Sequence, residues 1–116
     1  MPMADRVLVV DDEADSKTAL GLLMSTWGYE VLEASDGSEA LDLAAEFRPA
    51  VVVSDLVMPG MDGLALLEAL RTELPTASVI LLTGHGTVET AVSALKEGAY
   101  DYLSKPLILD ELRHLM

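Results

Sequence analysis

The chain has 116 residues, 51% of them apolar, and sets 20 acidic side chains against 7 basic ones for a net charge of −13. That is enough chain to bury one core and too little for a second domain, and the acidity opposes direct contact with nucleic acid phosphates or an anionic membrane surface. Cysteine is absent, which excludes disulfides, zinc thiolate sites and thiol catalysis.

Met1 to Asp5 lacks the basic region and apolar stretch of a secretory signal, and no apolar run approaches the roughly 20 residues that span a bilayer. The expectation is a soluble, cytoplasmic protein with no membrane contact. Hydrophobic periodicity then switches repeatedly between short β-branched runs and longer helical patterns, the mark of βα units around a parallel sheet. The first run, Val7-Leu-Val-Val10, ends at Asp11-Asp12. Acids open the first helix, whose Leu20, Leu23, Met24 and Trp27 fall at i, i+3, i+4 and i+7 and whose end is Gly28. A strand near Glu30 to Ala34 follows, then a helix with Ala40, Leu43, Ala44 and Phe47 on one face and Pro49 as its stop.

The third run, Ala50-Val-Val-Val53, ends at Ser54-Asp55, and Gly63 to Glu73 continues the helical pattern. Val79-Ile-Leu-Leu82 ends at Thr83; Val88, Ala91, Val92 and Leu95 then make another apolar face, closed by Gly98 in the left-handed conformation. A fifth segment through Tyr100 ends at Lys105, and the last helix is expected from near Leu107. Only about ten residues remain after Pro106, barely three helical turns, so a cut last helix is expected. Together these units predict an α/β fold with a doubly wound, five-stranded parallel sheet and five helices. Right-handed crossovers place helices on both faces.

In such a sheet the carboxyl ends of the strands form the ligand crevice, and here each run stops on a side chain that can do chemistry. Taken alone, Asp11-Asp12-Glu13 reads as helix capping and dipole compensation, and Asp55 as a turn residue. Taken together, strands one and three flank a topological switch point, which brings the three carboxylates within several Å. At 4 Å and an effective dielectric of 20 each pair repels by roughly 4 kcal/mol, so the cluster needs a cation or a proton. Magnesium fits, because it takes hard oxygen ligands and commonly joins one or two carboxylates to phosphate oxygens. Lys105 offers a mobile point charge for phosphate and Thr83 a hydroxyl donor. Individually, Lys105 also reads as a surface lysine, Thr83 as a cap or turn before Gly84-His85-Gly86, and Tyr102 as a half-buried strand aromatic.

The pieces Val7-Leu-Val-Val-Asp-Asp-Glu13, Ser54-Asp-Leu-Val-Met-Pro-Gly-Met-Asp-Gly63, Leu81-Leu-Thr-Gly84 and Gly98-Ala-Tyr-Asp-Tyr-Leu-Ser-Lys-Pro106 stand in this order along the whole chain. With them the chain resembles the receiver domain of two-component response regulators. Thr83-Gly-His-Gly86 and Lys96-Glu-Gly-Ala-Tyr-Asp-Tyr102 are most like receivers of nitrogen-regulation-type, sigma-54-dependent transcription activators.

The resemblance implies one receiver domain over residues 1–116, strand order 2-1-3-4-5, and any output domain outside this chain. It implies Asp55 as phosphoacceptor from a sensor histidine kinase, through an acyl phosphate. Mg2+ would be held by Asp12, Asp11, Asp55 and the backbone carbonyl of Val57, with Lys105 supplying positive charge around the transferred oxygens. Thr83 and Tyr102 would be the switch that alters the face of the fourth helix, fifth strand and last helix, where a homodimer is expected. DNA would be touched only by a downstream output domain, and the domain would be a self-phosphorylating switch with slow autodephosphorylation rather than an enzyme. The resemblance also allows a cis bond before Pro106, and His85 could influence access or switching. A stand-alone receiver that relays phosphate or docks a partner would have the same pocket.

Two other classes fit less well. A haloacid dehalogenase-type phosphatase expects a second aspartate two residues after the nucleophile, where Val57 stands. A flavodoxin-like cofactor binder needs a Ser/Thr/Gly-rich phosphate loop after the first strand, where Asp11-Asp12-Glu13 would repel phosphate.

Overall fold

The apolar runs become the strands of a parallel sheet. A computed structural model describes residues 5–84, 88–105 and 107–116; His85, Gly86 and Pro106 lie outside them. In chain order the elements are β1 (Arg6–Val10), α1 (Ala14–Thr26), β2 (Glu30–Ala34), α2 (Gly37–Phe47), β3 (Val51–Asp55), α3 (Gly63–Glu73), β4 (Ser78–Thr83), α4 (Val88–Lys96), β5 (Asp101–Ser104) and α5 (Leu109–Leu115). The strands lie in the order β2-β1-β3-β4-β5, all parallel, as the resemblance implies.

Side chains alternate between the two faces of each strand, so a sheet covered on both sides needs nearly continuous apolar strands. Leu8, Val10, Val52, Val79 and Leu81 pack into one layer with Ala40 and Ala44 of α2 and Leu66, Leu67 and Leu70 of α3. Val7, Val9, Val53, Ile80 and Leu82 pack into the other with Met24 of α1 and Leu112 of α5.

Local signals set the helix ends. Asp36 and Asp62 accept hydrogen bonds from the backbone N–H of Glu39 and Ala65, at 2.8 and 2.9 Å, and so cap α2 and α3. Gly28 and Gly98 follow α1 and α4 with φ of 95° and 103°, a conformation nearly free only for glycine. Arg48 ends α2 at φ 50°, because Pro49 disfavours the right-handed helical region for the residue before it.

One expectation needs adjustment. α5 starts at Leu109, not near Leu107: Ile108 is extended, and Leu107 packs into the α1/α5 layer instead of opening the helix. The apolar face expected on α4 is, among its described residues, divided between core and solvent. Ala94 is fully buried, whereas Val92 and Leu95 are 43% and 49% exposed. Tyr102 from the edge strand β5 packs against the same layer as Ala94.

Candidate functional site at the carboxyl ends of the strands

β1 and β3 are hydrogen-bonded neighbours with Val10 opposite Ser54, so the residues just beyond, Asp11 and Asp55, emerge side by side. Asp11 is buried and anchored twice: its N–H donates to the Ala34 carbonyl at 3.1 Å, and its Oδ1 accepts from the Glu13 N–H at 2.9 Å. Asp12 is exposed and Asp55 half-buried. One carboxylate oxygen from each of Asp11, Asp12 and Asp55 lies within 4.8 Å of the others. The capping reading of the acids is thereby limited, since the N-cap of α1 is Glu13, without a side-chain cap hydrogen bond.

The peptide units after Asp55 are fixed. The Leu56 N–H donates to the Leu82 carbonyl and the Gly63 N–H to the Leu56 carbonyl, both at 2.8 Å, while the buried Ser54 hydroxyl donates to the Asp55 carbonyl at 2.9 Å. A Cβ on Gly63 would lie 2.6 Å from the Asp55 carbonyl oxygen and 2.9 Å from Leu56 Cα. Only a glycine lets α3 close over the end of β3. Ser54 and Gly63 lie in the piece that carries the family resemblance, but the sequence gives neither a role in the site.

Lys105 arrives from the other side of the sheet. Its N–H donates to the Thr83 carbonyl at 2.7 Å, and its Nζ lies 2.9 Å from Asp55 Oδ1 and 3.8 Å from Asp11 Oδ2. Thr83, buried at the end of β4, pairs with Ser104. Tyr102, two residues earlier on β5, pairs with Leu81; its ring packs on the α2/α3 layer and its phenol lies 3.0 Å from Thr90 Oγ1 of α4. No sequence signal marks Thr90. Val57 carries an exposed side chain two residues past Asp55.

Electrostatics follow from this crowding. Burial pushes the Asp11 carboxyl above its ordinary value; the Glu13 N–H and Lys105 oppose that, and Asp55 and Asp12 add to it. Burial is also the largest single influence on Lys105 and pulls it down, yet the hydrogen bond to Asp55 and the charges of Asp55, Asp11 and Glu13 outweigh it and hold Lys105 raised. At 4.8 Å and an effective dielectric of 20, each carboxylate pair repels by about 3 to 4 kcal/mol. Three carboxylates against one ammonium leave excess negative charge on an all-oxygen donor set, which fits a hard divalent cation such as magnesium.

The response regulator receiver domain family matches residues 7–116. The DNA-binding transcriptional regulator NtrC of Escherichia coli (strain K12) is 41% identical over 105 residues, 90% of this chain and 22% of that protein. Among solved structures, a response regulator receiver domain protein from Clostridium thermocellum superposes with a TM-score of 0.90 at 36% identity, covering 96% of this chain and 90% of that one. The beryllofluoride-activated NtrC4 receiver domain dimer superposes with a TM-score of 0.87 at 37% identity, covering 95% and 94%. The chain spans about a quarter of the length of the curated relatives it matches. Sequence, sheet order and the juxtaposition of strand ends agree, and the chain belongs to the response regulator receiver domains of two-component systems.

Proposed function

We propose that Asp55 accepts a phosphoryl group from a sensor histidine kinase and that the resulting change of state controls transcription through an output domain outside this chain. The observation that carries this reading is the contact of Lys105 Nζ with Asp55 Oδ1 at 2.9 Å beside Asp11 and Asp12. An Asp55 carboxylate oxygen attacks the phosphorus of the phosphohistidine, the P–N bond breaks, and an acyl phosphate forms. Asp11, Asp12, Asp55 and the Val57 backbone carbonyl would hold magnesium, which when bound offsets charge on the phosphoryl oxygens. Lys105 gives up its contact with the attacking carboxylate and follows the charge onto a phosphoryl oxygen. The Glu13 N–H keeps Asp11 oriented meanwhile.

Thr83 turns its hydroxyl to the phosphoryl group, and Tyr102 moves with it. The face that responds is built from α4, β5 and α5. Val92, Leu95 and Tyr100 are exposed there, and a groove of about 410 Å³ runs along Asp101, Leu103, Asp110, Glu111, His114 and Leu115. The dimer of the NtrC4 receiver favours a homodimer, and the exposed apolar side chains are the reason to seat it on this face. Residues 1–116 act as one receiver domain, DNA is bound only by the output domain, and the protein works in the cytoplasm. Among the described residues no helix is long and apolar enough to cross a membrane.

Mass spectrometry after incubation with magnesium and acetyl phosphate tests the reading. One added phosphoryl mass, dependent on magnesium and absent in Asp55→Asn, is expected. A folded protein that takes no phosphoryl group from either acetyl phosphate or a phosphorylated kinase would overturn it.

A further inference from the structure

Among the described residues α4 is thinly embedded. Among its described side chains only Ala94 is buried, against four buried residues on α3 and three on α2. Gly98 turns the chain at the end of α4, Arg71 and Glu97 form an exposed ion pair at 3.4 Å just beyond it, and exposed pairs contribute little. Against that background one hydrogen bond stands out. Thr90 Oγ1 and the Tyr102 phenol lie 3.0 Å apart in a partly buried setting, joining the first half of α4 directly to β5.

We propose that Thr90 is a positioning residue that ties α4 to Tyr102, so that the position of the phenol is passed to α4 through this hydrogen bond. The idea rests on the reading of Tyr102 as a switch residue for its consequence, but not for its first test. Tyr102 is fixed at both ends of its ring: the body packs on the sheet layer that includes Leu81 and Ala94, and the hydroxyl meets Thr90. Displacing the ring from that layer must either drag Thr90 along or break the contact, and in both cases α4 changes its seat. Because Ala94 is the only buried side chain among the described ones of α4, a bond of ordinary strength contributes measurably to what orients the helix. The exposed stripe of Val92 and Leu95 rides on the same helix.

Hydrogen exchange of the amides of residues 91–96 in the unphosphorylated protein tests the tie without requiring any phosphoryl chemistry. Thr90→Val and Tyr102→Phe should each speed this exchange about two- to tenfold, with β1 and β3 amides unchanged. Thr90→Ser, which keeps the hydroxyl, should restore the wild-type rate. The double variant should exchange no faster than Thr90→Val alone, which has already lost the bond to the phenol. Unchanged exchange in Thr90→Val, or additive effects in the double variant, would overturn the proposal. When beryllofluoride is loaded onto Asp55, wild-type α4 exchange should shift, and Thr90→Val should lose at least half of that shift at equal loading. A full shift in Thr90→Val would refute the transmission step, whereas failure of Asp55 to load at all bears on the phosphoacceptor reading and leaves the exchange result on the tie decisive.

Discussion

The ends of β1 and β3 and the region of α4 and β5 are built on opposite principles. At the first, the backbone around the reacting carboxylate is pinned: Asp11 by Ala34 and Glu13, and the turn after Asp55 by Leu82, Gly63 and Ser54. At the second, a helix with one fully buried described side chain rests against an edge strand, with apolar side chains left in solvent. Under the proposed function the contrast has a reason: group transfer needs reacting atoms held in line, which suits the pinned end, and a switch needs two arrangements of similar free energy, which suits the thinly packed one.

The largest expected effects break the rigid end. Leu8→Ala empties a fully buried position between β2 and β3 and should cost about 2 to 5 kcal/mol, read by urea unfolding. Gly63→Ala sets a methyl against the Asp55 carbonyl and Leu56 Cα, both backbone, so neither neighbour can rotate away. A loss of about 1 to 3 kcal/mol is expected, with phosphorylation by acetyl phosphate slowed at least about tenfold because Asp55 itself is displaced. Phosphorylation at the wild-type rate in folded Gly63→Ala would show that the pinned backbone is not what aims the carboxylate.

A smaller effect separates the stability of the site from its function. Burial raises Asp11 above its ordinary value of 3.8. The sign follows: a group with a raised folded value stabilises the fold fully at pH below the ordinary value, and that contribution is lost as pH rises through the folded value. Ionised Asp11 is therefore a liability at neutral pH without a cation. Magnesium requires the carboxylates ionised, so its stabilising effect should grow as pH rises through the raised Asp11 value and then level off. At ten times its dissociation constant it should add about 1.4 kcal/mol, visible as a higher thermal midpoint. Asp11→Asn should raise the magnesium-free midpoint at pH 7 and abolish most of the magnesium response. Lys105, also raised, stabilises at every pH below its ordinary 10.5 and loses that contribution only as pH climbs through its higher folded value.

How far the sequence could be read follows the same division. The strands and the convergence of Asp11, Asp12, Asp55 and Lys105 were legible, because buried parallel strands leave continuous apolar runs and each run ends on a conspicuous polar residue; the strand order came from the family resemblance. Gly28 and Gly98 were legible as helix stops for a reason intrinsic to glycine. The seat of α4 was not: Val88, Ala91, Val92 and Leu95 have helical spacing, but spacing cannot say whether the stripe faces the core or solvent. Thr90 carries no local signal, since its meaning depends on a phenol 12 residues away. The start of α5 was misplaced because Leu107 serves the core from an extended segment. Ser54 and Gly63 matter through contacts with backbone, which no side-chain pattern reports.

The smallest expected change in stability asks whether the loose end is loose for a purpose. Val92 and Leu95 are about half exposed, so Val92→Ser and Leu95→Ser should each shift unfolding free energy by no more than about 0.5 kcal/mol. Burial in a dimer would give each side chain a value the monomer does not realise, about 1 kcal/mol or more at a well-packed interface. Two copies of each residue face a symmetric partner, so the double variant should weaken association of the beryllofluoride-loaded protein at least about tenfold, measured by sedimentation equilibrium. Equal association of the variant and the wild type would assign the dimer to another surface and leave the apolar stripe of α4 for a different occupant. A stability loss of about 2 kcal/mol would instead mean that α4 is seated more deeply than its exposed side chains indicate, and the contrast between the two ends of the sheet would fail.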